Sequence, residues 1–356
     1  MRIAVLRAGG SGKRFWPLGR EARPKQVLPL VSGKTLLALA IERLLPLFPR
    51  EQIWVITQAR QADAVRRITS RYGRVRLLIE PAGRNTAPCI AYGASLASVE
   101  VGDASMVFLP ADHVIGRAAR FRSILKAGLD FVEREDALLA VGVKPTRPAT
   151  GYGYIRRGAA ASAGRGRFFR VRGFAEKPTE GVARRYLTSG EYLWNSGVFL
   201  FRASVVLEEI AAHLPGLAGC FGTFASRVGS RGEKADLARC YSRAEAISFD
   251  YGVMEKTRRA WVVSADIGWD DLGNWESFFR HVPKDARGNR VVGSHLGIDS
   301  RGCLVYAGKR LVGTIGIEDV VVVVTDDSVL LARRGEAERV KELAALVAKR
   351  GFGALL

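Results

Sequence analysis

Behind a short apolar run, "IAVL", the chain carries "RAGGSGKRFWPLGREARPKQ". Ala8, Gly9, Gly10 and Gly12 are followed at once by Lys13 and Arg14, and Lys25 follows in "RPKQ". A glycine-rich loop after a strand offers backbone N–H groups to a phosphate. The usual fingerprints fail. A G-x-x-x-x-G-K-[ST] loop meets Arg7 at its first glycine and Arg14 at its last position, and "SGKT" at 32–35 meets Leu28. A G-x-G-x-x-G loop meets Phe15 at its third glycine. What remains is a strand, A-G-G-x-G-x-R, and the two cations Arg14 and Lys25 beside backbone donors. That set suits a triphosphate whose charge is redistributed during reaction.

Other polar residues offer a second chemistry. Asp112 follows the apolar run "MVFLP", and Asp271 sits in "WDDLGNW" between two tryptophans. Two carboxylates across a cleft can hold a hard cation, since Mg²⁺ uses one or two carboxylates plus phosphate oxygens. Alone, each is as well read as a turn or capping residue. Glu176-Lys177 in "FAEKP" sets an acceptor beside a cation, or is a surface pair. Asn195 in "LWNSG" is an amide able to hold sugar hydroxyls, or a turn residue. Gly151 in "TGYGY" would let backbone approach a ligand. Asn85 and Thr86 open a helix and could merely cap it. His113, His213, His281 and His295 have no partner visible in the sequence, and no Ser-His-Asp or Cys-His set stands out.

The motifs "AGGSGKRFWPL", "RPKQ", "EPAGRNTAP", "LPADH", "TGYGY", "EKP", "YLWNSGVFLF" and "WDDLGNW" occur in this order over roughly residues 1–280. The chain thereby resembles the mannose-1-phosphate guanylyltransferases, also called GDP-mannose pyrophosphorylases. The resemblance implies formation of GDP-mannose and pyrophosphate from GTP and mannose 1-phosphate, with Mg²⁺ on Asp112 and Asp271. It gives Arg14 and Lys25 the triphosphate charge and the loop Ala8–Lys13 the nucleotide. Glu80, Asn85 and Thr86 would face guanine and ribose. Glu176 and Asn195 would take sugar hydroxyls, Lys177 the sugar phosphate, and Gly151 would approach the sugar. Arg7 departs from the family, whose strand ends in L-A-G-G, and Asp270 stands where many members have a small polar residue. The alternatives are another sugar-1-phosphate nucleotidyltransferase or a sugar-nucleotide-binding regulator without catalysis. Intact Arg14, Lys25, Asp112 and Asp271 favour the enzyme.

The elements that must position these residues alternate over the first ~145 residues. "RIAVL", "QIWVIT", "VRLLIE", "SMVFLP" and "ALLAVGV" read as buried strands, and "TLLALAIERLLPL", "RQADAVRRITSRYG", "NTAPCIAYGASLASVE" and "RFRSILKAGLDFVERE" as helices. This predicts an α/β fold, a Rossmann-like nucleotidyltransferase domain with a mainly parallel sheet and ligands at the strands' carboxyl ends. Residues 1–283 form that domain. Residues 284–356 read as a small β-rich, β-helix-like domain with a terminal helix.

Composition narrows the class. The 356 residues carry a net charge of +20, and 43 of the 55 basic residues are arginine. They are dispersed rather than gathered in blocks between aromatics, so no specific nucleic acid is expected. No apolar run reaches the ~20 residues of a membrane span, and no partner membrane is expected. Four scattered cysteines suggest a reduced cytoplasm. A homodimer is the expected assembly.

Overall fold

The computed structural model describes residues 1–10, 12–161 and 168–356; Ser11 of the glycine-rich loop and residues 162–167 lie outside the described residues. The apolar runs form strands where the sequence places them: β1 (Arg2–Ala8), β2 (Ile53–Gln58), β3 (Arg76–Glu80) and β4 (Ser105–Pro110). The helices between them are α1 (Leu36–Leu44), α2 (Ala62–Thr69) and α3 (Thr86–Glu100). Thr35 caps α1 by accepting from the Ala38 N–H at 3.2 Å, and the helix stops ahead of Pro46, which cannot continue it. The remaining strands of the first unit are β5 (Val114–Ile115), β6 (Leu138–Val143), β7 (Gly153–Ala161), β8 (Phe168–Glu176), β9 (Tyr192–Arg202), β10 (Ala260–Ala265) and β11 (Trp269–Asp270).

Nine strands make one sheet in the order β3-β2-β1-β4-β9-β6-β10-β8-β7. Its first four strands are parallel, as the β/α alternation predicts. The second half is mixed. β9 enters antiparallel between β4 and β6, so the fifth alternating strand does not lie beside the fourth. β9 is apolar on both faces over Val198–Phe201, which only a central place in the sheet satisfies. One face packs against α1, α2 and α4 (Ala118–Val132). The other packs against α3 and three further helices, α6 (Ala203–His213), α7 (Pro215–Ala225) and α8 (Glu233–Arg243); α5 (Glu180–Ser189) precedes β9.

A short helix α9 (Trp275–Phe279) leads to a separate four-stranded sheet, β12 (Arg290–Ile298), β13 (Leu304–Ile315), β14 (Val320–Val324) and β15 (Val329–Arg333), and to the terminal helix α10 (Val340–Lys349). Leu304, Val321, Val323 and Leu330 of this sheet share one buried cluster with Phe15, Trp16, Trp275 and Phe278. Phe15 meets Trp275 edge-to-face at 5.0 Å. The Trp16 indole N–H donates to the Leu355 carbonyl at 3.0 Å. The chain's last turn therefore braces the glycine-rich loop. Among the described residues no helix is long and apolar enough to cross a membrane.

Phe15 is fully buried, so Phe15→Ala should destabilise the protein by about 3–5 kcal/mol, the range for a large aromatic lost from a core. Denaturant unfolding measures this; a loss below about 1 kcal/mol would show that the loop is not anchored by this cluster.

Candidate active site

The site forms where β1 and β4 end, and its first component is the glycine-rich loop. Gly12 adopts φ 67°, and a Cβ there would lie 2.6 Å from the Lys25 backbone nitrogen. Only glycine lets the loop fold back over Lys25. The loop carbonyls are tied down from behind. Gln26 Nε2 and Thr57 Oγ1 donate to the Ala8 carbonyl at 2.8 and 2.7 Å, Gln58 Nε2 to Gly9 at 2.8 Å, and Gln61 Nε2 to Gly10 at 3.1 Å. The N–H groups of Gly10 and Gly12 have no acceptor among the described residues. Backbone donors held this way are the elements of a phosphate site.

Lys25 lies under the loop, 8 % exposed. Its ammonium reaches Asp112 Oδ2 at 2.8 Å and the Asp271 carbonyl at 2.5 Å. Burial opposes charge on Asp112, but Lys25, with His113 and Arg7, outweighs it and holds the carboxyl at about 2. Asp112 and Asp271 are 159 residues apart in sequence and meet because β5 pairs with β11, Val114 opposite Asp270. The Asp271 carboxylate accepts from the Tyr152 hydroxyl at 2.7 Å. Burial pushes His113 down to about 4. Its neutral ring accepts the Trp269 indole N–H on Nδ1 at 3.1 Å. Asp270 faces away. It takes Arg280 at 2.8 Å, His281 at 3.2 Å and the Leu272 N–H at 2.8 Å, and these partners outweigh its burial and hold it far below the usual carboxylate range. Asp270 is thus neither a free ligand nor a solvated charge but the pin that shapes the 269–272 turn.

Three cavities open around this centre. The first is lined by Gly151, Glu176, Lys177, Asn195, Thr86, Asp271 and Arg7 among others. Glu176 pairs with Lys177 at 2.8 Å. A Cβ on Gly153 would fall 2.5 Å from Glu176 Oε2, whereas one on Gly151 would meet nothing within 4 Å. Gly153 thus packs against Glu176, while Gly151 borders open space in the same cavity. Asn195 Nδ2 donates to Asp250 at 2.5 Å, and its Oδ1 accepts the Gly197 N–H at 3.0 Å. Burial, with Glu176 nearby, pushes the Asp250 carboxyl up to about 6. Asp250 carries no signal in the sequence, because it lies 55 residues beyond Asn195 in "SFDYG" with no motif around it.

The second cavity, about 700 Å³, is lined by Gly9, Gln58, Arg60, Glu80, Asn85 and Arg7 among others. Glu80 is 3 % exposed and accepts the Tyr241 hydroxyl at 2.8 Å. Burial raises its carboxyl to about 7, against the pull of Tyr241 and Arg7. Asn85 takes φ 68° and caps nothing with its side chain, while Thr86 accepts the Phe249 N–H at 2.7 Å and so positions the Asp250 segment. The third cavity holds Arg14 with Arg147, Arg280, Asn274 and Asp271. Lys13 turns outward to Glu21 at 3.2 Å and lines none of the three.

Among the described residues no group of three or more His, Cys, Asp or Glu could hold a metal alone. The pair Asp112 and Asp271, joined through one buried ammonium, fits the smaller demand of an ion that takes further ligands from a substrate's phosphates.

Residues 3–288 match the family model described as nucleotidyl transferase, and residues 293–345 the MannoseP isomerase/GMP-like beta-helix domain. The xanthan biosynthesis protein XanB of Xanthomonas campestris pv. campestris is 38% identical over 98% of this chain and 74% of its own length. A mannose-1-phosphate guanylyltransferase of Escherichia coli is 35% identical over 96% of this chain and 73% of its own. A crystal structure from Thermus thermophilus, described as a mannose-1-phosphate geranyltransferase, superposes with a TM-score of 0.89 at 38% identity, covering 98% of this chain and 99% of that one.

The Glu80 shift makes a pH prediction. A carboxyl whose folded pKa exceeds its unfolded one adds stability at low pH, which is lost as pH rises through the folded value. With Glu80 at about 7, the wild type should weaken between pH 5 and 8 relative to Glu80→Gln by about 2–3 kcal/mol. Denaturation of both proteins across that range checks it; parallel curves would place the Glu80 carboxyl at an ordinary value.

Proposed function

The chain belongs to the nucleotidyl transferase family, among the mannose-1-phosphate guanylyltransferases, and from that premise we propose that it transfers GMP from GTP to mannose 1-phosphate in a Mg²⁺-dependent reaction. The observation that carries the reading is the buried Lys25 ammonium, which holds Asp112 and the Asp271 turn together directly beneath the glycine-rich loop.

A phosphate oxygen of mannose 1-phosphate attacks the α-phosphorus of GTP in line. The new P–O bond forms as the bond from the α-phosphorus to the bridging β-oxygen breaks, and pyrophosphate leaves with that electron pair. The nucleophile is already an anion, so no general base is required. Catalysis then rests on positioning and charge stabilisation. The glycine loop's N–H groups and Arg14 hold the triphosphate, and Lys25 keeps positive charge under it. Lys177 places the attacking phosphate. Glu176, and Asn195 braced by Asp250, accept and donate to the sugar hydroxyls. Glu80, with Gln58 beside it, faces the base. Asp112 and Asp271 would hold Mg²⁺, which when bound supplies positive charge to phosphate oxygens. The same proposal has the chain working in the cytoplasm as a homodimer.

Pyrophosphate release over a panel of nucleoside triphosphates and sugar 1-phosphates tests this. GTP with mannose 1-phosphate should lead, and equal turnover with UTP or dTTP would refute the guanylyl assignment. Within that assay Asp112→Asn and Asp271→Asn should each lower turnover by about 10²–10³-fold, the order for a lost preorganised charge. Asp270→Asn, which loosens a turn rather than a ligand, should lower the melting temperature and leave turnover within several-fold. The reverse ranking of the two neighbours would move the ion off Asp271.

A further inference from the structure

Arg7 is the one residue that borders both the first and the second cavity among the described residues. It stands near the end of β1, opposite Ile56 of β2 and Pro110 of β4. On one side lie Glu176, Asn195 and Asp250, on the other Gln58, Glu80 and Asn85. The side chain is half-buried. It forms no hydrogen bond to a side chain or carbonyl and no ion pair among the described residues. The acids around it are committed elsewhere: Glu80 to Tyr241, Asp112 to Lys25 and Asp250 to Asn195. All three nonetheless feel its charge, which favours their ionised forms. A partly desolvated guanidinium without a partner is costly. The position is also where the sequence leaves its family pattern, arginine standing in place of the leucine of L-A-G-G.

The two cavities differ in chemistry. The first is rich in acceptors suited to hydroxyl groups. The second offers an amide, a buried carboxyl and backbone to a flat base. A sugar nucleotide filling both carries its charge between its two ends, in the diphosphate. That group must cross the border between the cavities, which is where Arg7 stands. We infer that Arg7 binds the diphosphate of the sugar nucleotide, as a planar two-pronged donor suited to paired phosphate oxygens. The inference rests on the transfer reading above and adds a substrate-binding residue to it. It gives this chain a cation at the border of the two cavities, with no counterpart where leucine occupies the position.

Calorimetric titration of wild type, Arg7→Leu and Arg7→Lys with GDP-mannose, GDP and guanosine tests it. Arg7→Leu should weaken GDP-mannose and GDP by ~10–100-fold, the scale of a hydrogen bond to a charged group, and leave guanosine within about twofold. Arg7→Lys keeps the charge but loses the fork, and should weaken both diphosphates by less. If GDP-mannose binds Arg7→Leu as well as wild type, Arg7 does not touch the diphosphate, while the transfer reading stands. If guanosine weakens equally, Arg7 shapes the pocket rather than binding phosphate, and the inference falls. If Arg7→Leu does not fold, Arg7→Lys decides alone: unchanged diphosphate affinity overturns the inference. If wild type binds neither GDP-mannose nor UDP-glucose, dTDP-glucose or ADP-glucose, both readings fall together.

Discussion

One buried ammonium sets the terms for the centre of this molecule. Lys25 is 8 % exposed, and a charge so far from water is costly unless it is paired. Its partners come from two distant segments, the Asp112 carboxylate after β4 and the Asp271 carbonyl after β11. The pairing therefore fixes three chain segments at once. It requires β5 and β11 to meet, and it requires Gly12, because any Cβ there would strike the Lys25 backbone. Removing one partner of such a set leaves the other charge stranded, which is costlier than the pair is worth. The arrangement proposed to position phosphates is in this way also a condition for the local fold.

Around that centre the cleft divides by charge. Donors gather at one end: the Gly10 and Gly12 N–H groups, which have no acceptor among the described residues, with Arg14, Lys25 and Arg147. Acceptors gather at the other end, where Glu176 and Asp250 lie near enough for one to raise the other. Such a pair tolerates burial only if hydroxyl donors or a cation satisfy it. Asn195 supplies one donor to Asp250 and Lys177 one cation to Glu176. On the proposed reading, a sugar's hydroxyls would supply the rest.

Much of this was readable from local sequence because it depends on local chemistry. The strand–glycine loop–cation series, the strand-end Asp112 and the Glu176-Lys177 pair are contiguous motifs; the structure pairs Lys25 with Asp112 and sets Glu176 and Lys177 in the first cavity. What the sequence left out is long-range. Asp250 faces Asn195 only because the Phe249 N–H is held by Thr86, 163 residues earlier. Gln26 belongs to the motif "RPKQ", but the tie-backs from Thr57, Gln58 and Gln61 come from a distant segment and carry no motif. Gly153 lies against Glu176 because strand register sets the two opposite each other. The parallel half of the sheet follows from β/α alternation. The place of β9 does not, because a doubly apolar strand says that it is central without saying between which neighbours.

The terminal sheet and helix belong to the same argument. Phosphate positioning demands a loop held to a fraction of an ångström, and a glycine-rich loop is the least able to hold itself. Its backbone freedom has to be removed by something outside it. Behind, the glutamines fix its carbonyls. At its far end, Phe15 and Trp16 sink into a cluster built jointly from α9, the C-terminal sheet and α10. The Trp275 indole donates to the Trp16 carbonyl at 3.1 Å, and the Trp16 indole in turn to Leu355. The Glu21 N–H reaches the carbonyl of Leu356, the last residue of the chain, at 3.1 Å. Residues beyond 350 thus hold the segment that follows the loop. The C-terminal unit contributes no side chain to the first two cavities, and only Glu338 to the third. Its connection to the chemistry is the order it imposes on the loop, which lets flexible glycines present donors at fixed positions without paying that entropy at each turnover.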